Sequence, residues 1–170
     1  MGIVLAIAVI DQVTKALVLH YLEPGVALPV IGDWFRFLLV FNPGAAFSFG
    51  TGATWVFTCI QLGFLILAAV VIPRTRDPWT VVALALIAGG ALGNLVDRLC
   101  RAPAFFVGHV VDFISVGSFA IFNVADSAIT CGVILFLVAS LTEQRRHGDA
   151  AHAPTPSEEK DVEKEDRHDS

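Results

Sequence analysis

Residues 79–99 read Trp-Thr-Val-Val-Ala-Leu-Ala-Leu-Ile-Ala-Gly-Gly-Ala-Leu-Gly-Asn-Leu-Val-Asp-Arg-Leu. No side chain is charged from Trp79 to Val96, and Asp97 and Arg98 follow at once. A helix crossing a ~30 Å hydrocarbon core needs roughly 20 largely apolar residues, and this stretch supplies them. Three more segments do the same: Gly2–Tyr21, Thr54–Ile72 and Phe119–Leu141. Backbone groups in lipid must be satisfied within the protein, so four such segments predict an all-α membrane protein, a four-transmembrane-helix bundle.

The rest of the composition agrees. Of 170 residues 55% are apolar and 16% charged, and the mean hydropathy is +0.71. A soluble domain carries about 25% charged residues, so this chain cannot cover a globular surface with polar groups. A net charge of −5 argues against a nucleic-acid partner. Most of that charge sits at the end: residues 142–170 hold five Lys or Arg and nine Asp or Glu of the chain's 11 and 16. With no aromatic residue after Glu143, this stretch cannot bury enough apolar surface to offset its ordering entropy. The expected division is a membrane domain over 1–141 and a disordered cytoplasmic tail over 142–170. Cys59, Cys100 and Cys131 have no paired spacing, so neither a disulfide framework nor a zinc site is expected. Cys59 and Cys131 lie in apolar runs and read as small buried hydrophobes.

Basic residues orient the bundle. Arg74 and Arg76 lie in the shortest loop, and Arg145 and Arg146 follow the fourth span. An even number of spans puts both pairs on one side, expected to be cytoplasmic. Both termini are then cytoplasmic, and loops 22–53 and 100–118 face outward. Span one does not read as a signal peptide. It lacks a basic leader and a small-residue cleavage site, and Asp11 and Lys15 interrupt it. It begins at residue 2 without a cytoplasmic flank, which a start upstream of Met1 would supply. In the first outer loop, Trp34–Phe41 is β-prone and ends in the turn signal Asn42-Pro43-Gly44, with Ala45–Gly50 beyond. This predicts a small extracytoplasmic β-rich platform, with a loop packed on the bundle top as the alternative.

Ionisable residues at membrane depth are expensive unless paired, so they carry the information. Asp11 and Lys15 are spaced i, i+4 and can neutralise each other, as a structural ion pair or as a support for a site. Gly89 and Gly93 form a GxxxG, which lets a neighbouring helix approach closely. Asn94, Asp97 and Arg98 share a face near the outer end of span three. Asp112 lies in Val110-Val111-Asp112-Phe113-Ile114, an expected extended segment, and Asn123 and Asp126 share a face early in span four. Asp97, Asp112 and Asp126 are thus expected at one depth on one side. Two carboxyls at one site cannot both ionise cheaply, so they share a proton. An ionised acid that takes a proton from water, beside a protonated one that polarises a carbonyl, is aspartic-peptidase chemistry. Proton or cation translocation fits the same acids equally well.

Five ordered blocks carry more. They are Asp11-Gln12-Val13-Thr14-Lys15, Asn42-Pro43-Gly44-Ala45-Ala46-Phe47-Ser48, Gly89–Arg98, Val110-Val111-Asp112-Phe113 and Phe122-Asn123-Val124-Ala125-Asp126-Ser127. In these the sequence resembles the prolipoprotein signal peptidases (signal peptidase II), bacterial aspartic endopeptidases of the inner membrane. The resemblance implies Asp112 and Asp126 as the catalytic dyad. It implies Asn42, Asn94, Asp97, Arg98 and Asn123 as residues holding substrate or backbone, and Asp11 and Lys15 as support from the first helix. It further implies removal of the signal peptide from diacylglyceryl-modified prolipoproteins, before the lipidated cysteine and near the outer leaflet. The expected partners are those substrates and membrane lipid, the expected state is a monomer, and no metal or organic cofactor is implied.

Overall fold

A computed structural model describes residues 1–44 and 54–152 of the chain, with side chains through residue 144. In chain order the elements are α1 (Gly2–Tyr21), β1 (Ala27–Ile31), β2 (Phe35–Asn42), α2 (Thr54–Val71), α3 (Pro78–Cys100), β3 (Val110–Val116) and α4 (Val124–His152). Four of these helices are long and apolar enough to cross a membrane, as expected. Internal contacts divide the chain into Met1–Phe136 and Leu137–Ser170. The sheet, the cavity and the polar residues described below belong to the first unit. The second holds the end of α4, in which residues 142–152 of the expected disordered tail are helical, and the tail from 153 onward lies outside the described residues.

Local chemistry sets the helix ends. Pro73 falls in a 3₁₀ turn, Ile72–Arg74, that closes α2, since proline has no N–H for the helical ladder. Pro78 opens α3, and the Asp77 carboxylate caps it by accepting from the Thr80 N–H at 2.6 Å. α4 begins at Val124 rather than at the expected Phe119. Phe122 instead exchanges backbone hydrogen bonds with Ile114 of β3. Asn123 then caps α4, its Oδ1 accepting from the Asp126 N–H at 2.9 Å. Asp126 reaches back to accept from the Asn123 N–H at 3.2 Å, closing a capping box.

α3 is the central helix: half of its apolar window is buried inside the protein, against 11% for α2 and 17% for α4. Its small residues make this possible. A Cβ on Gly89 would lie 2.7 Å from Ile7 Cβ, and one on Gly93 would lie 2.6 Å from Asp11 Oδ2, so the GxxxG face meets α1. A Cβ on Gly90 would lie 2.3 Å from the Ala125 carbonyl oxygen, so the neighbouring face meets the start of α4. Val4, Ala68, Ala85 and Ala88 fill the space between α1, α2 and α3.

The β-rich platform is a three-stranded antiparallel sheet in the order β1-β2-β3. β2 pairs with β1 across a tight turn and, on its other edge, with β3, where Val40 faces Asp112 and Asn42 faces Val110. The Ala45–Gly50 part of the expected platform lies outside the described residues. Leu39, Val111 and Phe113 bury the sheet against Val18, Leu19 and Leu22 at the end of α1. One expectation needs correction: Cys59 and Cys131 are exposed, not buried. In a bundle this small most apolar side chains of α2 and α4 point outward, where hydrocarbon covers them.

Gly90→Ala is expected to force α4 away from α3 and lower stability by about 1–3 kcal/mol, the usual cost of overpacking. Gly63, whose Cβ would meet nothing within 4 Å, is the control. Gly63→Ala should leave the thermal midpoint in detergent unchanged or slightly raised.

Candidate active site

Strand β3 supplies Asp112 and the first turn of α4 supplies Asp126. Both line a cavity of about 670 Å³, together with Asn42, Asn94 and Arg98, and with Phe57, Ile60, Val110, Ile121 and Phe122 as apolar wall. Three asparagines fix the two carboxyls. Asn42 Nδ2 donates to Asp112 Oδ2 at 2.8 Å, and Asn123 Nδ2 donates to Asp112 Oδ1 at 2.7 Å. Asn94 Nδ2 donates to Asp126 Oδ1 at 2.8 Å, while Asp126 Oδ2 accepts the Asn123 backbone N–H. Each of the four carboxyl oxygens thus has one amide donor, and Asn123 holds both residues. Asn42 is itself fixed, its Oδ1 accepting from the Gly44 N–H at 3.0 Å.

Asp112 is nearly inaccessible to solvent. Burial pushes its carboxyl from the ordinary 3.8 to about 7, and the charge of Asp126 adds to the rise. The hydrogen bonds from Asn42 and Asn123 oppose it only in part.

Behind the cavity lies a second polar layer. The Lys15 ammonium, fully buried, is within 2.8 Å of Asp11 Oδ2, 2.7 Å of Asp97 Oδ2 and 2.8 Å of Asn94 Oδ1. Its three donors therefore have three acceptors. The two acids carry this order forward. Asp11 Oδ1 accepts from the Ala125 N–H at 3.0 Å, beside Asp126, and Asp97 Oδ2 accepts from the Val111 N–H at 3.1 Å, beside Asp112. The Asp11–Lys15 pair is thus an ion pair and a support for the cavity wall at once.

Asn94, Asp97 and Arg98 do not act as one face. Asp97 turns away from the cavity toward Lys15 and β3, whereas Arg98 lines the cavity. The Arg98 guanidinium donates to the carbonyls of Gly44 at 3.1 Å and Gly108 at 3.5 Å, and lies 5.6 Å from the Phe57 ring centre. Two partners were not singled out from the sequence as parts of the site. Arg101 bonds Asp97 Oδ1 at 2.6 Å, and the i, i+4 spacing was the available signal. Gly108 has no room for a Cβ, which would lie 2.4 Å from the Asp97 carbonyl oxygen. Among the described residues no three His, Cys, Asp or Glu side chains are placed to hold a metal ion.

Residues 3–142 match the family model described as Signal peptidase (SPase) II. A lipoprotein signal peptidase of Rhodococcus jostii is 52% identical over 141 residues, covering 82% of this chain and 69% of the relative. One of Mycobacterium avium is 46% identical, covering 83% and 78%. A solved bacterial membrane enzyme, determined in meso at 2.3 Å resolution, superposes with a TM-score of 0.75 at 33% identity, over 84% of this chain and 87% of that one.

Lys15→Met is expected to cost about 3–5 kcal/mol, because it leaves the buried Asp11 without a cation and Asp97 with Arg101 alone. Thermal unfolding in detergent measures it, and a loss under about 1 kcal/mol would refute the supporting role.

Proposed function

The chain belongs to the signal peptidase II family, and from that premise we propose that it is an intramembrane aspartic endopeptidase. It removes the signal peptide of diacylglyceryl-modified prolipoproteins by cutting before the lipidated cysteine. The observation that carries the reading is Asn123, which binds Asp112 through its side chain and Asp126 through its backbone, so that both carboxyls line one cavity.

The steps follow from the two environments. Asp112, with its proton retained to about pH 7, donates a hydrogen bond to the scissile carbonyl and polarises it. Asp126, at the positive end of the α4 dipole, takes a proton from a water placed between the carboxyls. The resulting hydroxide attacks the carbonyl carbon, and Asp112 delivers its proton to the developing oxyanion. Collapse of the tetrahedral intermediate breaks the C–N bond. The proton held by Asp126 goes to the departing cysteine amine, and the carbonyl re-forms as Asp112 recovers its own. Every proton returns, so no cofactor is needed.

Residues 1–141 form the peptidase domain in this reading, with 142–170 as a cytoplasmic tail. The basic residues Arg74, Arg76, Arg145 and Arg146 support a cytoplasmic location for both termini. Asp112, Asp126 and the sheet then lie at the outer leaflet of the bacterial inner membrane, where the diacylglyceryl group of a substrate is anchored. The enzyme acts as a monomer on lipidated precursors within membrane lipid, and nucleic acid has no role.

Asp112→Asn and Asp126→Asn should each reduce cleavage of a diacylglyceryl prolipoprotein peptide by at least about 10³-fold, with the thermal midpoint showing the variants folded. Either variant turning over near the wild-type rate would defeat the dyad. A pH profile gives an independent check. Activity should decline as pH rises through about 7, where Asp112 loses its proton. Between 3.8 and about 7 the folded chain holds a proton that the unfolded chain does not. Asp112 therefore lowers stability across that window as pH rises, and Asp112→Asn should make the slope shallower.

A further inference from the structure

The cavity contains a buried polar atom that the cleavage steps leave unused. Gln61 of α2 lines it, and the Gln61 Oε1 is buried without a hydrogen-bond partner among the described residues. A buried amide oxygen with no donor costs free energy, so an apolar residue would serve packing better here. The facing wall has the same character. Ser127 and Thr130 of α4 donate their hydroxyls to the carbonyls of Asn123 and Asp126, at 3.0 and 2.9 Å. Both hydroxyl oxygens thereby keep lone pairs free as acceptors. On the side away from the sheet, between Phe57 and Ile60 on one helix and Cys131 on the other, the cavity thus offers acceptors in apolar surroundings.

A peptide drawn out of a helix for cleavage has the opposite need. Its freed N–H groups have no water to bond inside a bilayer. Depth can be read along α2. The Thr54 hydroxyl donates to the Pro43 carbonyl, next to Asn42, which holds Asp112. Gln61 lies two turns further along, about 10 Å, and an extended chain covers that distance in about three residues. Resting on the peptidase reading above, we infer that Gln61 is a substrate-binding residue. Its Oε1 accepts the backbone N–H of the substrate about three residues before the scissile bond and holds that segment extended between α2 and α4.

The test uses the full chain in phospholipid bicelles and a synthetic diacylglyceryl prolipoprotein peptide. In a series of analogues, one amide at the second, third or fourth residue before the cysteine is replaced by an ester, which exchanges N–H for oxygen. The wild type should lose about tenfold in kcat/KM for the ester at one of these positions and little at the other two. Gln61→Met should cleave the all-amide peptide about tenfold more slowly and show no further loss with that ester. Equal ester sensitivity in Gln61→Met and wild type would overturn the inference. So would a flat ester series in the wild type, a readout that stands even if the variant does not fold. Failure of the wild type to cut the all-amide peptide would instead count against the peptidase reading itself.

Discussion

A lysine ammonium with no route to water must be surrounded by acceptors, and Lys15 is the point around which this protein is built. One side of it faces Asp11 on its own helix, another faces Asp97 and Asn94 on α3. Breaking such a group costs far more than a surface pair, because the carboxylates left behind are also buried. Since each acid spends its second oxygen or lone pair on a backbone N–H of β3 or α4, satisfying Lys15 also fixes where the strand and the fourth helix sit. Folding energy and placement of Asp112 and Asp126 come from the same contacts.

Asparagine is the intermediary between this inner layer and the cavity, for a chemical reason. A carboxyl that must accept a hydrogen bond needs a donor, and a buried lysine needs an acceptor. An amide offers both, on two separate atoms of one short side chain. Asn94 uses its oxygen toward Lys15 and its nitrogen toward Asp126. Asn123 uses its oxygen to cap α4 and its nitrogen on Asp112. Aspartate at either position would set two oxygens against each other. The longer glutamine would have to displace its neighbours in a packed interior.

Hydrophobic length made the helices legible. α1 spans Gly2–Tyr21, and the starts and ends of α2 and α3 lie within one residue of the expected bounds, because a bilayer admits little else. The acids and amides at one end were legible for a similar reason: polar groups at membrane depth are few and need each other. Less readable was anything decided by a long-range partner. Nothing local to Phe119–Phe122 says that it pairs with Ile114 instead of joining the helix. The divergence of Asp97 from Arg98 follows from the 100° turn between adjacent helical residues, but which of them faces the cavity depends on where α1 packs. β1, exposed along its whole length, has no buried face and hence no alternating pattern to read.

On the proposed reading, burial and the charge balance across the two layers together favour a proton on Asp112. Asp11, Asp97, Asp112 and Asp126 stand against Lys15, Arg98 and Arg101, one carboxyl in excess. Asp11 and Asp97 have cations within 3 Å. Asp112 accepts from the neutral amides of Asn42 and Asn123, and Asp126 is close enough to repel it. On the proposed reading Asp112 carries the proton, because its own burial, with the Asp126 charge adding to it, raises its carboxyl to about 7. On the peptidase reading, Lys15 and Arg101 are bonded to Asp11 and Asp97, which leaves the two cavity carboxyls to amide donors and free to serve as an acid-base pair.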